Sequence, residues 1–140
     1  MANAYYGVKN NANYIINTVG QLFEIGRNRR FNTSLPTILG NNTWSKVSSE
    51  YYHSLAIRSD GTLWAWGSNS YGQLGQSNTI GYSSPVQVGT SAGWSSIAAG
   101  YSYSLAIRSD GTLWAWGNNT YGQLGLSESG LSAVKLNYNL

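Results

Sequence analysis

The sequence predicts an all-β protein built from short antiparallel strands in repeated units. Its 140 residues include 17 glycines, 20 serines and 15 asparagines, which is typical of strands joined by many tight turns. A segment of 25 residues returns after 50 positions with 21 identities. Inside each copy, short apolar runs flank an Asp-Gly turn, which is the pattern of a β-hairpin. Composition, repetition and turn chemistry thus agree on one fold class.

The composition also excludes several classes of protein. Only 9% of the residues are charged while 14% are aromatic, which is the reverse of a disordered chain. The absence of cysteine excludes disulfides, a thiol nucleophile and thiolate metal sites. No apolar run is long enough for a membrane span, and the first residues lack a secretion signal, so we expect a soluble protein. The net charge of +3 favours an acidic partner only mildly.

Two copies of the repeat are nearly identical. They cover residues 51–75 and 101–125, and Trp44 and Trp94 keep the same spacing of 50 residues upstream. Such a period indicates a repeat architecture in which each unit is one supersecondary element. The chain therefore contains at least two complete units.

A third, degenerate copy precedes them. Residues 13–28 align with residues 54–69 and place Gly20 over Gly61, but the copy lacks the Tyr-Gly-Gln-Leu-Gly segment. We therefore predict a single repeat domain over the whole chain. Its units are 1–43 (degenerate), 44–93 and 94–140.

Each complete unit is predicted to hold about four strands. Residues 54–58 and 62–66 flank a turn at Asp60-Gly61, in which glycine supplies a positive φ and Asp bonds its own backbone. In the second of these runs Trp64 and Trp66 share one face. The opposite face is apolar as well, so we expect this strand to lie between neighbouring sheets. Four short strands in such a unit form the blade of a β-propeller.

The second unit carries a dense motif between His53 and Pro85. It matches a pattern of His-Ser-Leu-Ala-Leu, Asp-Gly, aromatic-Ala-Trp-Gly-x-Asn-x-x-Gly-Gln-Leu-Gly and Pro-x-x-Val. Over residues 44–125 the chain resembles the repeat of the regulator-of-chromosome-condensation family. The resemblance implies propeller blades, of which this family typically has seven. Three units therefore predict an open or partial propeller, completed by oligomerisation or by docking on another protein.

Sixteen residues of the two complete units are expected to have a structural role in the repeat. Glycine supplies unusual dihedral angles there, and the amide side chains satisfy buried backbone groups. A phosphate-binding loop is disfavoured because the glycine-rich segments lack the Lys-Ser/Thr ending. We expect no cofactor. The sixteen are Asp60, Gly61, Trp66, Gly67, Asn69, Gly72, Gln73, Gly75, Asp110, Gly111, Trp116, Gly117, Asn119, Gly122, Gln123 and Gly125.

His53 is the one candidate for Ser/His/Asp chemistry, with Ser54 beside it and Asp60 nearby. Adjacent residues on a strand point to opposite faces, and Tyr103 replaces the histidine in the next unit. A single histidine and five scattered carboxylates do not make a metal site either. We therefore predict neither a catalytic nor a metal site, and no enzyme.

Five residues are candidates for contact with a protein partner. Arg27, Arg29 and Arg30 form a basic cluster, while Tyr71 and Tyr121 occupy equivalent places in the repeated loops. A solvated loop is the alternative for the arginines, and nucleic acid is their least favoured contact. Further tyrosines can be interface anchors or strand filler. We expect protein partners, either further copies or other subunits, and no membrane. The further tyrosines are Tyr5, Tyr6, Tyr51, Tyr52, Tyr101 and Tyr103.

Low charge and abundant Asn, Ser, Gly and Tyr suggest a non-enzymatic structural subunit of a large assembly, such as a decoration or tail component of a phage virion. Two alternatives stay open. One is a soluble binding module that inhibits or regulates a protein partner, such as a small GTPase, since the resemblance implies exchange factors, chromatin binders and protein-binding scaffolds. A carbohydrate-binding propeller would instead show exposed aromatic residues at repeat-equivalent positions. With fewer than half the usual blades, no exchange residue is carried over to this chain.

Overall fold

The computed structural model describes residues 13–25, 37–127 and 130–136, and every regular element in those ranges is a β-strand. Short strands separated by glycine-rich turns follow from the alternating apolar pattern. The strands are β1 (Asn13–Ile16), β2 (Leu22–Ile25), β3 (Thr37–Ile38), β4 (Trp44–Glu50), β5 (His53–Arg58), β6 (Leu63–Gly67), β7 (Tyr82–Gln87), β8 (Trp94–Gly100), β9 (Tyr103–Arg108), β10 (Leu113–Gly117) and β11 (Gly130–Lys135).

The strands form three antiparallel sheets, one for each unit of the sequence. Their orders are β1-β2-β3, β4-β5-β6-β7 and β8-β9-β10-β11, so each sheet follows the chain. We call them the first, second and third blade. The all-β class and the propeller-type blades are confirmed. The first blade has three strands among its described residues rather than the four expected of a full unit.

The hairpin turns are held by a short ladder of side-chain hydrogen bonds. The Thr62 backbone N–H and hydroxyl both donate to the Asp60 carboxylate, at 3.0 and 2.6 Å, and the Trp64 indole N–H donates to the Thr62 hydroxyl at 2.8 Å. These bonds from Thr62 lower the pKa of Asp60 below its usual range. Asp110 and Thr112 repeat the arrangement in the third blade. The order Asp-Gly-Thr-x-Trp, which occurs in both complete units, therefore stabilises the hairpin turn.

Apolar side chains fill the space between blades, because both faces of the central strands are apolar. Between the second and third blades, Leu55, Ile57 and Leu63 pack against Trp94, Ala106 and Trp116. Leu22, Trp44, Ala56 and Trp66 form the corresponding core between the first and second blades. The expectation that the tryptophan strand lies between sheets is met in the second blade, where Trp66 and Leu63 are fully buried on opposite faces.

A buried polar junction joins the second blade to the third. The backbone carbonyl of Gln73 accepts from the Ser104 hydroxyl at 2.7 Å and from the Trp116 indole N–H at 2.8 Å. His53 Nε2 lies 2.8 Å from the same hydroxyl. Because the single hydroxyl hydrogen points to Gln73, the histidine must be the donor, which leaves its Nδ1 unprotonated. All four residues are at most 1% exposed.

The junction between the first and second blades is simpler. The Trp66 indole N–H donates to the Tyr14 hydroxyl at 3.2 Å, and the two rings meet edge to face with centroids 5.3 Å apart. Trp66 occupies the position in the second blade that Trp116 occupies in the third. Since the degenerate unit lacks the Tyr-Gly-Gln-Leu-Gly loop, a tyrosine hydroxyl replaces the loop carbonyl as acceptor.

Replacing Gly67 or Gly117 by Val should unfold the protein or cost more than about 4 kcal/mol, beyond the range of ordinary substitutions. Gly67 has φ +113°, and a Cβ there would collide with the Tyr52 carbonyl oxygen and approach His53 Cα to 2.7 Å. Gly89→Val is the matched control, because Gly89 also has a positive φ but has open space around its Cβ position. Thermal melting of the three variants checks this, and equal melting temperatures would contradict it.

Stability should fall as the pH drops from 6.5 to about 4. Burial lowers the pKa of His53 from 6.5 to about 4 in the folded state, although the Tyr103 backbone opposes the shift. Below pH 6.5 the unfolded chain therefore takes up the proton first, which costs the folded state about 3 kcal/mol by pH 4, and the contribution of His53 levels off below that pH. Urea denaturation at several pH values measures the loss. His53→Gln should remove it, and an unchanged pH slope in that variant would refute the assignment.

Candidate functional site

The connections between strands divide each blade into two ends. Glu50 and His53 pair across β4 and β5, and His53 pairs with Gly67, so the β4–β5 turn and the loop after Gly67 lie together. The third blade repeats this at Gly100, Tyr103 and Gly117. We call this the loop end, formed by residues 51–52, 68–81, 101–102 and 118–127. The opposite turn end carries the hairpin turns at 59–61 and 109–111.

Three tyrosines at the loop end form one aromatic cluster across two blades. The Tyr51 and Tyr52 rings meet at 4.9 Å between centroids, and the Tyr101 ring lies 6.2 Å from the first and 5.5 Å from the second. The hydroxyls of Tyr52 and Tyr101 are 3.5 Å apart. Tyr101 is 59% exposed. We call Tyr51, Tyr52 and Tyr101 the tyrosine patch, because their rings form a continuous surface.

Backbone hydrogen bonds hold the patch in place. The Tyr52 carbonyl accepts from the Ser68 N–H at 2.8 Å, and the Ser102 carbonyl accepts from the Asn118 N–H at 2.9 Å. Ser102 is buried and has φ +63°, which is uncommon for a residue other than glycine. Each two-residue turn is thus tied to the long loop of its own blade.

The long loops display Tyr71 and Tyr121 on a fixed backbone. The Gln73 side chain accepts from the Tyr71 N–H at 2.9 Å, and Gln123 does the same for Tyr121 at 2.9 Å. Tyr71 is 46% exposed and Tyr121 is 90% exposed. Both predicted partner-binding tyrosines therefore lie at the loop end, together with the tyrosine patch.

The amides of Asn69 and Asn119 close the same loops. The Asn69 side-chain oxygen accepts from the Leu74 N–H at 2.9 Å, while its NH₂ group donates to the Ile80 carbonyl at 2.9 Å. Asn119 accepts from the Leu124 N–H at 2.9 Å in the third blade. The glycines of the structural set all have positive φ. They are Gly61, Gly67, Gly72, Gly75, Gly111, Gly117, Gly122 and Gly125.

The structure does not describe the predicted arginine cluster. Arg27, Arg29 and Arg30 lie outside the described residues, and their contact with a partner stays a prediction. Other arginines lie near the turn end. The Arg58 guanidinium stacks 3.4 Å from the Trp64 ring centroid, and Arg108 lies 5.2 Å from that of Trp94. Such cation–π stacking stabilises the blade edge.

The geometry does not assemble a Ser/His/Asp triad. His53 Nε2 bonds Ser104, whereas the neighbouring Ser54 hydroxyl accepts from the Ser49 hydroxyl at 2.9 Å. Asp60 lies at the turn end, on the far side of the blade. Within the described ranges there is no group of three His, Cys, Asp or Glu side chains able to hold a metal ion. No helix among those residues is long and apolar enough to cross a membrane.

A polar groove of about 470 Å³ opens at the turn end, between the first and second blades. Its walls include Asn17, Thr43 and Ser59, and none of the described residues that line it has a titratable side chain. Acid–base chemistry needs such a group within reach of a substrate. The described lining residues therefore supply no general acid or base.

Sequence reasoning did not identify the contact between Tyr52 and Tyr101. Tyrosines at these places were equally consistent with strand filler, because their proximity depends on how two blades pack. One signal was present, since Tyr51 and Tyr101 are repeat equivalents 50 residues apart. Equivalent turn residues of adjacent propeller blades lie near one another around the axis.

Solved structures share this fold. Prp20p of Saccharomyces cerevisiae, described with its binding properties to Gsp1p and histones, superposes with a TM-score of 0.77 at 18% identity, over 94% of this chain and 37% of that one. Human WBSCR16 gives a TM-score of 0.73 at 19% identity, over 88% and 35%. Yeast RCC1 (Prp20) bound to Kap60 gives 0.74 at 16% identity, over 94% and 36%.

Sequence comparison gives the family. The ultraviolet-B receptor UVR8 of Arabidopsis thaliana is 44% identical over 50 residues, which are 36% of this chain and 11% of the receptor. The chain thus spans only a small part of that relative. One model of the Regulator of chromosome condensation (RCC1) repeat matches residues 60–107, and a second matches 44–73 and 94–123. Together these matches run from 44 to 123, more than half of the chain, which therefore belongs to the RCC1 repeat family.

Proposed function

We propose that this chain is a non-catalytic protein-interaction module whose partner binds at the loop end. The observation that carries the proposal is the tyrosine patch, an aromatic surface that bridges two blades, in which Tyr101 is exposed and Tyr51 and Tyr52 are half-buried. Tyr71 and Tyr121 extend the aromatic character of the same end. Tyrosine offers large contact area with few side-chain torsions to immobilise, so it binds protein surfaces at low entropic cost.

The charge of the loop end supports a protein partner over nucleic acid. Residues 51–52, 68–81, 101–102 and 118–127 contain no Asp, Glu, Lys or Arg. Binding to a phosphate backbone depends on Lys and Arg, which this surface lacks. The centres of protein interfaces are depleted of charge and enriched in tyrosine. A partner with an uncharged, partly apolar contact surface fits best.

The similar proteins support the same class of function. Prp20p binds Gsp1p and histones, and it has been solved in complex with Kap60. Because this chain covers about a third of Prp20p, the identity of its own partner does not follow from theirs. A virion role, suggested by composition, has no support among these relatives, so we propose the binding module in its place.

Truncation of the exposed tyrosines should weaken partner binding at least tenfold, a loss of about 1.4 kcal/mol or more, as expected for central interface aromatics. A photo-reactive phenylalanine analogue in place of Tyr121 captures the partner covalently, and the captured protein is then purified. Its affinity is measured for the parent chain, Tyr101→Ala, Tyr121→Ala and the control Val19→Ala, whose side chain is exposed away from the loop end. Equal affinity for all four proteins would contradict the proposal.

Carbohydrate binding is the second candidate, favoured by the exposure of the repeat-equivalent Tyr71 and Tyr121. Sugars stack on such rings through their apolar faces. A glycan array probed with the parent chain and with Tyr71→Ala distinguishes the two functions. A glycan signal that disappears in the variant, without any captured protein, would replace the protein-binding proposal.

A further inference from the structure

One face of the third blade is exposed to solvent. The equivalent face of the second blade is covered by the third blade. Ile57 of the second blade is 2% exposed beneath the third blade, whereas the equivalent Ile107 is 40% exposed. A Cβ on Gly72 would meet Leu131 of the third blade at 2.7 Å, but a Cβ on Gly122 would meet nothing within 4 Å. This face of the third blade therefore has the residues of a blade interface, but no other blade among the described residues covers it.

The exposed face is apolar. Ala98, Leu105, Ile107 and Leu113 line a shallow groove of about 160 Å³ on it. The positions of Leu105, Ile107 and Leu113 correspond to Leu55, Ile57 and Leu63, which pack against the third blade in the blade interface already described. We call Ala98, Leu105, Ile107 and Leu113 the trailing face.

The first blade presents an apolar face of its own at the opposite end of the array. Asn13 pairs with Ile25 and Ile15 pairs with Phe23. In the third blade, the equivalent pairs are Ser104 with Trp116 and Ala106 with Trp114. These four residues lie on the face that covers the second blade. Ile15 is 55% exposed. We call Asn13, Ile15, Phe23 and Ile25 the leading face, because it is the structural equivalent of a covering face.

The two faces are complementary in size and chemistry. In the leading face, Ile15 stands in the place of Ala106, and Phe23 in the place of Trp114. One side chain is larger and the other smaller, so the combined volume is similar, and exchanges of that kind are well tolerated in protein cores. The Asn13 amide stands where Ser104 donates to the Gln73 carbonyl, and it can donate in the same way to the equivalent Gln123 carbonyl. Neither face contains a charged residue.

From this register we propose that the leading face of one copy binds the trailing face of a second copy, head to tail. The contact continues the packing seen between the second and third blades. Ile25 takes the place of Trp116, so the indole hydrogen bond to the loop carbonyl is not reproduced. The contact between copies is therefore weaker than the one within the chain and depends on protein concentration.

Sedimentation equilibrium of the whole chain over a range of concentrations tests the proposal. We expect a reversible increase in mass to at least twice the 15.2 kDa of one chain. Ile107→Asp and Ile15→Asp should each shift the equilibrium to the monomer at least tenfold, because each buries an unpaired carboxylate in the contact. Ile80→Asp is the control, since Ile80 is 60% exposed on a loop outside both faces. Circular dichroism melting verifies that each variant is folded.

Mixing the two variants makes the test specific. Ile107→Asp retains an intact leading face and Ile15→Asp retains an intact trailing face, so the mixture should associate more tightly than either variant alone. A monomer at all concentrations would overturn the proposal, as would association that Ile80→Asp disrupts equally or that mixing does not restore. These outcomes are independent of the tyrosine patch, so failure here would leave the proposed partner binding untouched.

Discussion

The architecture depends on one buried acceptor, the backbone carbonyl of Gln73. It receives the Ser104 hydroxyl and the Trp116 indole N–H, both from the following blade. An unmade hydrogen bond at a buried site costs about 1–3 kcal/mol, so the loop and the next blade stabilise each other. Both donors come from the third blade, whereas the carbonyl belongs to the second. Stability is therefore shared between neighbours, as in other repeat proteins.

The two ends of the blades differ in the hydrogen-bond partners of their polar side chains. At the turn end, Asp60, Thr62 and Trp64 satisfy one another, and Arg58 is stacked on the indole. At the loop end, the side-chain oxygens of Asn69 and Gln73 accept from backbone N–H groups, while the rings of Tyr71, Tyr101 and Tyr121 are exposed. The polar side chains at the turn end thus bind one another, whereas aromatic side chains at the loop end are exposed.

Much of the fold could be predicted from the sequence because its determinants are local. The Asp60-Gly61 turn and the alternation of Leu63 and Trp64 depend on residues only a few positions apart. Contacts between blades are different. The bond of His53 to Ser104 spans 51 residues, and Tyr14 replaces a loop carbonyl that the first unit lacks. Neither follows from periodicity, because both depend on how two sheets pack.

The absence of charged side chains from the loop end also bears on how quickly the proposed partner would arrive. Electrostatic attraction accelerates association only where complementary charge lies near the contact, and such acceleration weakens as ionic strength rises. The tyrosine, amide and hydroxyl groups of the loop end add no charge to such an attraction. We therefore expect the proposed partner to reach this end by diffusion and orientation alone, so that the lifetime of the bound state, rather than the speed of capture, determines its affinity.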